Sequence, residues 1–298
     1  MKIVKQAVKR SIGWSVDLMA RSKVGRYLYE QIVRQSMGRT ARVNHRGMDL
    51  LFAVPNMISR YRAETFSSKE PETLEWIDAI PEGSVLWDIG ANVGLYSCYA
   101  AKQRGCKVFA FEPSVFNLEL LARNIFTNGL VDFITIVSLP LCDALAINKL
   151  NMTTTDWGGA MSSFGVEYGH DGKPLVNVSI PQAEALLAAG EGHGHLKVFE
   201  FSTIGLSMDE TVEFLGIPQP DYIKMDVDGI EHLILKGGEK TLRQAKGILI
   251  EINDNFSAQA KDASAYLQQA GFSFKEKKHA ETYNAGKAMH TFNQIWVK

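Results

Sequence analysis

The segment from Val85 to Pro113 constrains the fold more than any other part of this chain. It reads VLWDIGANVGLYSCYAAKQRGCKVFAFEP: an apolar run, a glycine turn, a helically spaced stretch and a second apolar run. This order predicts strand, turn, helix and strand. Glu112 then lies at the carboxyl end of a strand, where open α/β sheets bind ligands and where a carboxylate can accept hydrogen bonds from ribose hydroxyls. The alternative interpretation is that Gly90 only turns the chain and that Glu112 is a solvated residue at the end of its strand.

The glycine spacing separates two classes of cofactor. A dinucleotide site needs G-x-G-x-x-G, so that the backbone and the helix amino end can receive a pyrophosphate. Counted from Gly90, Asn92 and Leu95 stand where that pattern needs its second and third glycines, which disfavours a dinucleotide. The looser D-x-G-x-x-x-G formed by Asp88, Gly90 and Gly94 suits S-adenosylmethionine, which carries no phosphate.

A second group of polar residues lies in DYIKMDVDGIEHLILKGGEKTL, from Asp221 to Leu242. Tyr222 to Val227 is predicted to be a strand with Asp226 near its carboxyl end. Charged groups crowded on one strand and turn are costly to bury unless they pair, bind a ligand or face water. Lys224 is the natural internal partner for a carboxylate. The acids of this group are Asp221, Asp226, Asp228 and Glu231.

The run GILIEI, from Gly247 to Ile252, predicts a further buried strand that carries Glu251 and is followed by Asn253. Carboxyl ends of parallel strands meet at one edge of a sheet. The oxygen groups of Glu251 and Asn253 are therefore expected to share one cleft with Asp226.

Between these two motifs the chain continues the alternation of helix and strand. Ser114 to Asn128 is predicted to be a helix, and Phe133 to Leu141 a third strand that ends near Asp143. Asp143 is then placed to meet an adenine amino group. A capping or solvated role for Asp143 is the alternative.

The region from about 151 to 220 is rich in glycine, serine and threonine, and it predicts an insertion that shapes an acceptor pocket. Leu175 to Ile180 and Leu196 to Phe201 are its expected strands. His193 and His195 flank a glycine, but a flexible loop with no third ligand nearby favours solvent exposure over metal binding.

Composition is that of an ordinary globular protein, with 298 residues, 46% of them hydrophobic and 22% charged. A net charge of −1 argues against an overall electrostatic nucleic-acid binder. The cysteines Cys98, Cys106 and Cys142 form no C-x-x-C pair and are expected to be reduced and buried, which favours a cytoplasmic location. No apolar run approaches the roughly 20 residues that span a bilayer.

Residues 1–47 carry a charge of +9, whereas the remainder carries −10. Their apolar positions fall near helical spacing, so residues 1–80 are expected to form a basic, largely helical extension before a domain at 81–298. The extension either packs on that domain with a solvated basic face or makes peripheral contact with an anionic membrane surface through residues 1–47.

The ordered set of motifs resembles the FkbM family of S-adenosylmethionine-dependent methyltransferases. The matching stretches, in family order between Ser68 and Asn253, are SKEPETLEWID, DIGANVGLYS, FEPSVFNLELLARNI, PDYIKMDVDGIEHLILKGG and ILIEIN. Residues 1–43 lie outside the resemblance, and it says little about 153–205, so the acceptor is left open. Asp228 stands where the family more often has Glu, a conservative departure.

The resemblance implies a class I methyltransferase fold, a doubly wound α/β sheet of seven strands whose last strand is antiparallel. It also implies methyl transfer from a sulfonium to a hydroxyl oxygen, with a small-molecule or glycan acceptor. Glu112 would then contact the ribose and Asp143 the adenine. The methionine side would be lined by Asp88, Gly90, Asn92 and Gly94.

A neutral hydroxyl is a poor nucleophile, so its proton must leave at or before attack. Asp226, Glu231 or His232 could accept it, with Lys224 as a charged neighbour. Alternatively, Asp226, Glu251 and Asn253 could hold Mg²⁺ through oxygen ligands. An ion-paired strand end without catalytic function is the third interpretation of these residues.

Three classes of function are consistent with the sequence. The first is an O-methyltransferase acting on a sugar, glycan or other hydroxylated metabolite. The second is an NAD-type oxidoreductase, which the missing glycines oppose. The third is a non-catalytic binding module at a membrane surface, suggested by the basic amino-terminal segment.

Overall fold

The structure is a computed structural model that describes residues 2–188, 195–279 and 290–298. The first elements are α1 (Lys2–Ala20), α2 (Lys23–Met37), β1 (Thr40–His45), β2 (Met48–Ala53), α3 (Met57–Glu64), α4 (Phe66–Lys69) and α5 (Pro71–Ala79). Then follow β3 (Val85–Ile89), α6 (Leu95–Arg104), β4 (Lys107–Phe111), α7 (Val115–Thr127), β5 (Ile134–Val137), β6 (Ala146–Met152), β7 (Ser163–Phe164), β8 (Val176–Asn177), α8 (Ile180–Ala188), β9 (Leu196–Lys197) and β10 (Phe199–Gly205). The last are α9 (Met208–Leu215), β11 (Tyr222–Met225), α10 (Glu231–Lys236), α11 (Glu239–Gln244), β12 (Gly247–Asn253), α12 (Ser257–Gln269), β13 (Ser273–Lys278) and β14 (Thr291–Val297).

A seven-stranded sheet with the order β13-β14-β12-β11-β3-β4-β5 organises the fold. Strands β12, β11, β3, β4 and β5 run parallel to their neighbours, whereas β14 is antiparallel to both β12 and β13. The predicted class I methyltransferase sheet with an antiparallel last strand is therefore confirmed. Strands β3 and β4 are the two apolar runs of the Val85–Pro113 segment, whereas β5 covers only the first part of the strand predicted from Phe133 to Leu141.

Both faces of this sheet are buried. Successive side chains of a strand point to opposite faces, so each strand contributes to two apolar cores. Leu86 of β3 packs in one apolar core with Val108 and Leu249, beneath helices α6 and α7. Trp87 of β3 packs in the opposite core with Ile223, beneath α10 and α12. The apolar runs recognised in the sequence are thus strands covered on two sides.

The amino-terminal region begins with two helices and continues with a hairpin of β1 and β2 that lies against α7. Asn124 of α7 accepts a hydrogen bond from the backbone of Ala53 at 2.7 Å, which fixes the hairpin to the domain. Helices α1 and α2 pack on each other where Gly25 lies against the backbone of Met19. Within the described residues, no helix combines the length and apolar character needed to cross a membrane.

The insertion has its own three-stranded antiparallel sheet with the order β10-β6-β7. Its strand β6, which starts at Ala146, pairs along its whole length with β10. The predicted strand at 175–180 is only the two-residue β8, and Ile180 already begins α8. His195 is half-buried rather than exposed, and its carbonyl accepts a hydrogen bond from Val176. His193 lies outside the described residues.

Candidate functional site

The turn after β3 brings the carboxyl ends of β3 and β11 into direct contact. Gly90 has φ of +83°, and a Cβ atom at this position would lie 1.8 Å from the backbone oxygen of Asp226. The backbone amides of Gly90 and Ala91 both donate to the carbonyl of Phe111 at the end of β4. Only glycine fits this approach, because any side chain would push the two strand ends apart.

Glu112 is buried at the end of β4 and is held by groups from the neighbouring turns. Its carboxylate accepts hydrogen bonds from the backbone amides of Asn92 and Ser114, each at 2.8 Å. Asn117 donates a longer bond of 3.4 Å. Burial raises the pKa of Glu112 to about 7 although the amide hydrogen bonds oppose this rise. Carboxylate oxygens can accept several hydrogen bonds each, so Glu112 retains acceptor capacity for a ligand.

Glu112 lines the first of two adjoining cavities at the carboxyl ends of the strands. This first cavity opens to solvent and, with the adjoining open space, measures about 560 Å³. Its polar side chains include Asn92, Asn117, Asp226 and Asp228. Its apolar wall is formed by Leu139, Pro140, Leu141, Leu150, Phe164, Ile230 and Ile234. An apolar slot beside a buried carboxylate fits a nucleoside, whose base is planar and whose ribose carries hydroxyls.

The second cavity lies on the other side of the β3 turn and shares Gly90, Asn92 and Asp226 with the first. Its remaining polar residues come from the amino-terminal region, from α6 and from β11. These residues are Arg62, Lys69, Glu70, Tyr96 and Lys224. The side chain of Asp226 is 29% exposed, so a carboxylate stands at the junction of the two cavities.

Lys224 is buried beneath this junction and compensates two carboxylates. Its Nζ lies 3.5 Å from Asp88 and 3.7 Å from Asp226, and it stands over the ring of Tyr96 at 5.4 Å. Burial lowers the pKa of Lys224, but the carboxylates Asp88, Asp226 and Glu70 outweigh it and leave the pKa raised. Lys224 therefore remains a cation, and its geometry suits charge compensation rather than proton abstraction.

Asp88 and Gly94 were predicted to line a ligand, but neither is among the residues that line the two cavities. Asp88 is buried, accepts a hydrogen bond from Ser97 at 2.5 Å and faces Lys224. Gly94 has φ of +80°, and a Cβ there would lie 2.3 Å from a methyl group of Leu121. Both residues shape the turn from within, through an ion pair and through close helix packing.

Glu231 and His232 also lie outside both cavities, which argues against the predicted role of either as the base. Glu231 is buried and accepts hydrogen bonds from the backbone amides of Val227 and Gly229, at 3.1 and 3.0 Å, and from Gln259. Burial raises the pKa of Glu231 to about 8. His232 is buried by packing, and burial lowers its pKa. Glu231 therefore braces the turn that positions Asp226.

The predicted magnesium ligands do not form a metal cluster. Across the described ranges, no group of three or more His, Cys, Asp or Glu side chains is arranged to hold a metal ion. Asn253 turns towards the backbone of Asn255 and His170. Burial and the neighbouring acids Asp226, Glu70 and Asp228 raise the pKa of Glu251 well above its ordinary value.

Asp143 is not among the residues that line the first cavity. Its carboxylate pairs with Lys236 at 2.9 Å on the exposed surface. The strand predicted to end beside Asp143, β5, stops at Val137. The exposed ion pair corresponds to the alternative interpretation, in which Asp143 is solvated.

Residues 158–161 of the insertion cover the β3 turn and are called the roof below. The sequence patterns did not predict this contact. The carbonyl of Gly159 accepts hydrogen bonds from Asn92 at 2.7 Å and from Asn117 at 3.1 Å. The amide of Gly158 donates to Asn117 at 3.0 Å. Asp228, with φ of +61°, accepts a hydrogen bond from the backbone amide of Met161 at 2.6 Å. The pair Gly158 and Gly159 is visible in the sequence, but the asparagines that it contacts are distant in sequence, so no local pattern predicts the contact.

The family model for the methyltransferase FkbM domain matches residues 88–274. The chain is 24% identical over 222 residues to the hexuronic acid methyltransferase AglP of Haloferax volcanii, which covers 74% of this chain and 77% of that relative. It is 30% identical over 83 residues to the ribosomal protein arginine N-methyltransferase rmt3 of Schizosaccharomyces pombe, which covers 28% of this chain and 15% of that relative. The family match contains the strand ends that meet at Gly90 and Asp226.

Two solved structures are among those that the chain is similar to. The methyltransferase FkbM from Methylobacillus flagellatus KT has a TM-score of 0.48 at 12% identity, covering 81% of this chain and 52% of that chain. TYW2 from M. jannaschii, solved in complex with AdoMet, has a TM-score of 0.42 at 13% identity, covering 86% of this chain and 84% of that chain.

Proposed function

Because the chain belongs to the FkbM methyltransferase family, we propose that it transfers a methyl group from S-adenosylmethionine to a hydroxyl oxygen of a sugar or glycan. The observation that carries this proposal is the junction of two cavities at Gly90, Asn92 and Asp226. A donor in the first cavity and an acceptor in the second would meet beside one carboxylate.

The first cavity fits the donor. Glu112 would accept hydrogen bonds from the ribose hydroxyls, and the apolar wall that includes Leu141 and Phe164 would cover the adenine. Gly90 allows the ligand to approach the backbone of the β3 turn closely. When bound, this cofactor supplies a methyl carbon attached to a sulfonium, which is electrophilic.

Asp226 is the best-placed group to receive the acceptor proton. With the donor bound, the acceptor oxygen would form a bond to the methyl carbon in line with the carbon–sulfur bond, which would break and leave its electron pair on sulfur. The hydroxyl proton passes to Asp226, a general-base contribution of about 10²- to 10⁴-fold. Lys224, at 3.7 Å, supplies the positive charge that compensates Asp226 between turnovers.

The similarity to a hexuronic acid methyltransferase supports a sugar acceptor. The test is calorimetric titration with S-adenosylmethionine and S-adenosylhomocysteine, followed by mass spectrometry of acceptor mixtures incubated with methyl-labelled cofactor. We expect binding of both ligands and a methylated sugar hydroxyl. Absence of cofactor binding would refute the proposal, and methylation confined to a peptide nitrogen would refute the acceptor class.

We also propose that α1 and α2 make peripheral contact with an anionic membrane. Val24, Leu28 and Ile32 are exposed at 70%, 51% and 54% and recur every four residues along α2, so they share one side of the helix. This apolar stripe belongs to a segment with a charge of +9. Exposed apolar residues combined with Lys and Arg are the features that bind helices to anionic lipid surfaces.

A further inference from the structure

Arg62 presents an incompletely used guanidinium group to the second cavity. Its Nε donates to the carbonyl of Gly158 at 2.7 Å, which fixes the plane of the group. Among the residues that the structure describes, its two Nη groups have no hydrogen-bond or ion-pair partner. Arg62 lines the second cavity and is partly exposed. A guanidinium held in this way can donate two parallel hydrogen bonds to a planar group such as a carboxylate.

The other charged residues around the second cavity are paired with one another. Lys69 pairs with Glu70 at 2.5 Å, and Glu70 also accepts a hydrogen bond from Tyr96. Lys224 lies between Asp88 and Asp226. Within the described part of the chain, Arg62 is the cation lining this cavity that has no carboxylate within ion-pair distance. Arg62 is therefore free to form an ion pair with a negatively charged group of a ligand.

We propose that the acceptor is a sugar carrying a carboxylate, and that Arg62 binds this carboxylate while the reacting hydroxyl faces Asp226. This inference rests on the proposed function, because it places the acceptor in the second cavity. The planar, singly charged carboxylate matches the Arg62 fork in shape and charge, whereas a phosphate monoester would bring nearly two charges. Arg62 is then the residue that determines acceptor specificity.

The fixed position of Arg62 also connects acceptor binding to the roof. Gly158, which accepts from Arg62, donates to Asn117, and Asn117 contacts both Gly159 and Glu112. A substitution of Arg62 can therefore loosen the roof as well as remove the charge. Comparing charged with neutral acceptors separates these effects, because a loosened roof affects both acceptors alike.

The experiment uses full-length protein with the variant R62Q and the matched control R60Q. Arg60 lies on the same helix, but it is exposed and pairs with Glu64 at 3.5 Å. The acceptor panel contains methyl glycosides of uronic acids, the corresponding neutral hexosides and the corresponding hexoside 6-phosphates. Initial rates of methyl transfer give kcat and KM for each acceptor, and calorimetry gives the Kd of S-adenosylmethionine.

We expect wild-type protein to prefer a uronoside and R62Q to raise the KM for that acceptor by about 10- to 100-fold, the effect of losing a charged hydrogen bond. The Kd of S-adenosylmethionine and the KM for neutral hexosides should not change, and R60Q should behave as wild type. Equal use of uronosides and hexosides, a preference for the 6-phosphate, or equal losses on all acceptors would overturn this inference alone. Failure to bind S-adenosylmethionine would overturn the proposed function itself.

Discussion

The backbone oxygen of Asp226 occupies the space where a side chain at Gly90 would begin, since a Cβ on Gly90 would lie 1.8 Å from that oxygen. This contact joins the β3 turn to the turn after β11, which carries the proposed base Asp226. It places Asp226 at the edge of both cavities without any ligand. The proximity of two strand ends is therefore a property of the protein backbone itself.

Gly90→Ala is expected to abolish detectable S-adenosylmethionine binding and to lower Tm, because the methyl group forces β3 and β11 apart. Gly83→Ala is the control, since Gly83 also has positive φ but a Cβ there would meet nothing within 4 Å. It should cost only about 1–2 kcal/mol of left-handed backbone strain. Calorimetry and thermal unfolding measure both effects. Retained cofactor binding in Gly90→Ala would contradict the importance of this contact.

Cofactor binding should strengthen as pH rises through about 7, the raised pKa of Glu112, because the ionised carboxylate is the better acceptor. Glu112→Gln should flatten this profile and weaken binding at pH 8 by about 10- to 100-fold. Titrations across this pH range test both statements. The exposed Glu239→Gln is the control. A pH dependence that persists in Glu112→Gln would assign the titration to another group.

The same raised pKa gives the opposite trend for the stability of the unliganded protein. Burial makes folded Glu112 hold its proton more tightly than the unfolded chain does. Its contribution to the free energy of unfolding is therefore fully present below its ordinary pKa and is lost as pH rises through about 7. The free energy of unfolding of wild type should therefore fall relative to that of Glu112→Gln as pH rises through about 7. Urea unfolding at a series of pH values measures this difference.

Asp226→Asn is expected to reduce kcat by about 10²- to 10⁴-fold, the usual contribution of a general base. The Kd of S-adenosylmethionine should change little, because the ribose contact lies at Glu112. Asp132→Asn, at an exposed site, is the matched control. Single-turnover kinetics and calorimetry separate the two quantities. Parallel loss of cofactor affinity and turnover would make Asp226 a structural residue.

Lys224→Met should destabilise the protein by about 3–5 kcal/mol, the cost of leaving a buried charge without its partner. The double variant with Asp88→Asn should recover part of this loss, since Asp88 is the nearer buried carboxylate. Lys246→Met removes an exposed ion pair with Asp221 and should cost at most about 1 kcal/mol. Urea unfolding provides the comparison. No loss of stability in Lys224→Met would refute charge compensation.

Full-length protein should co-sediment with vesicles that contain phosphatidylserine and remain in solution with phosphatidylcholine alone. The variant L28E/I32E should lose this binding, because it places acids in the exposed apolar stripe of α2. Phe126→Glu makes the same change at a site on α7 that is 78% exposed, and it should bind normally. Added salt should weaken binding by screening the basic residues. Equal binding to both vesicle types would exclude electrostatic attachment.

Sequence patterns predicted the parallel sheet because its signals are local. The apolar runs Val85–Ile89 and Lys107–Phe111 are the observed strands β3 and β4, residue for residue. Glycines mark the turns, and the position of Asp226 after a strand follows from the same spacing. The antiparallel last strand was predicted from the family resemblance.

Tertiary structure decided which of the polar residues reach the cavities. Asp88 and Glu231 lie in the strongest motifs, yet both turn inward, to Lys224 and to backbone amides respectively. Arg62 and Gly158 lie far apart in sequence, and no local pattern connects them. The direction of a side chain depends on what packs around it across the whole fold, whereas the strands and turns depend on near neighbours. The sequence alone thus determined the scaffold and the ends of its strands, and the packed structure selected the groups that can meet a ligand.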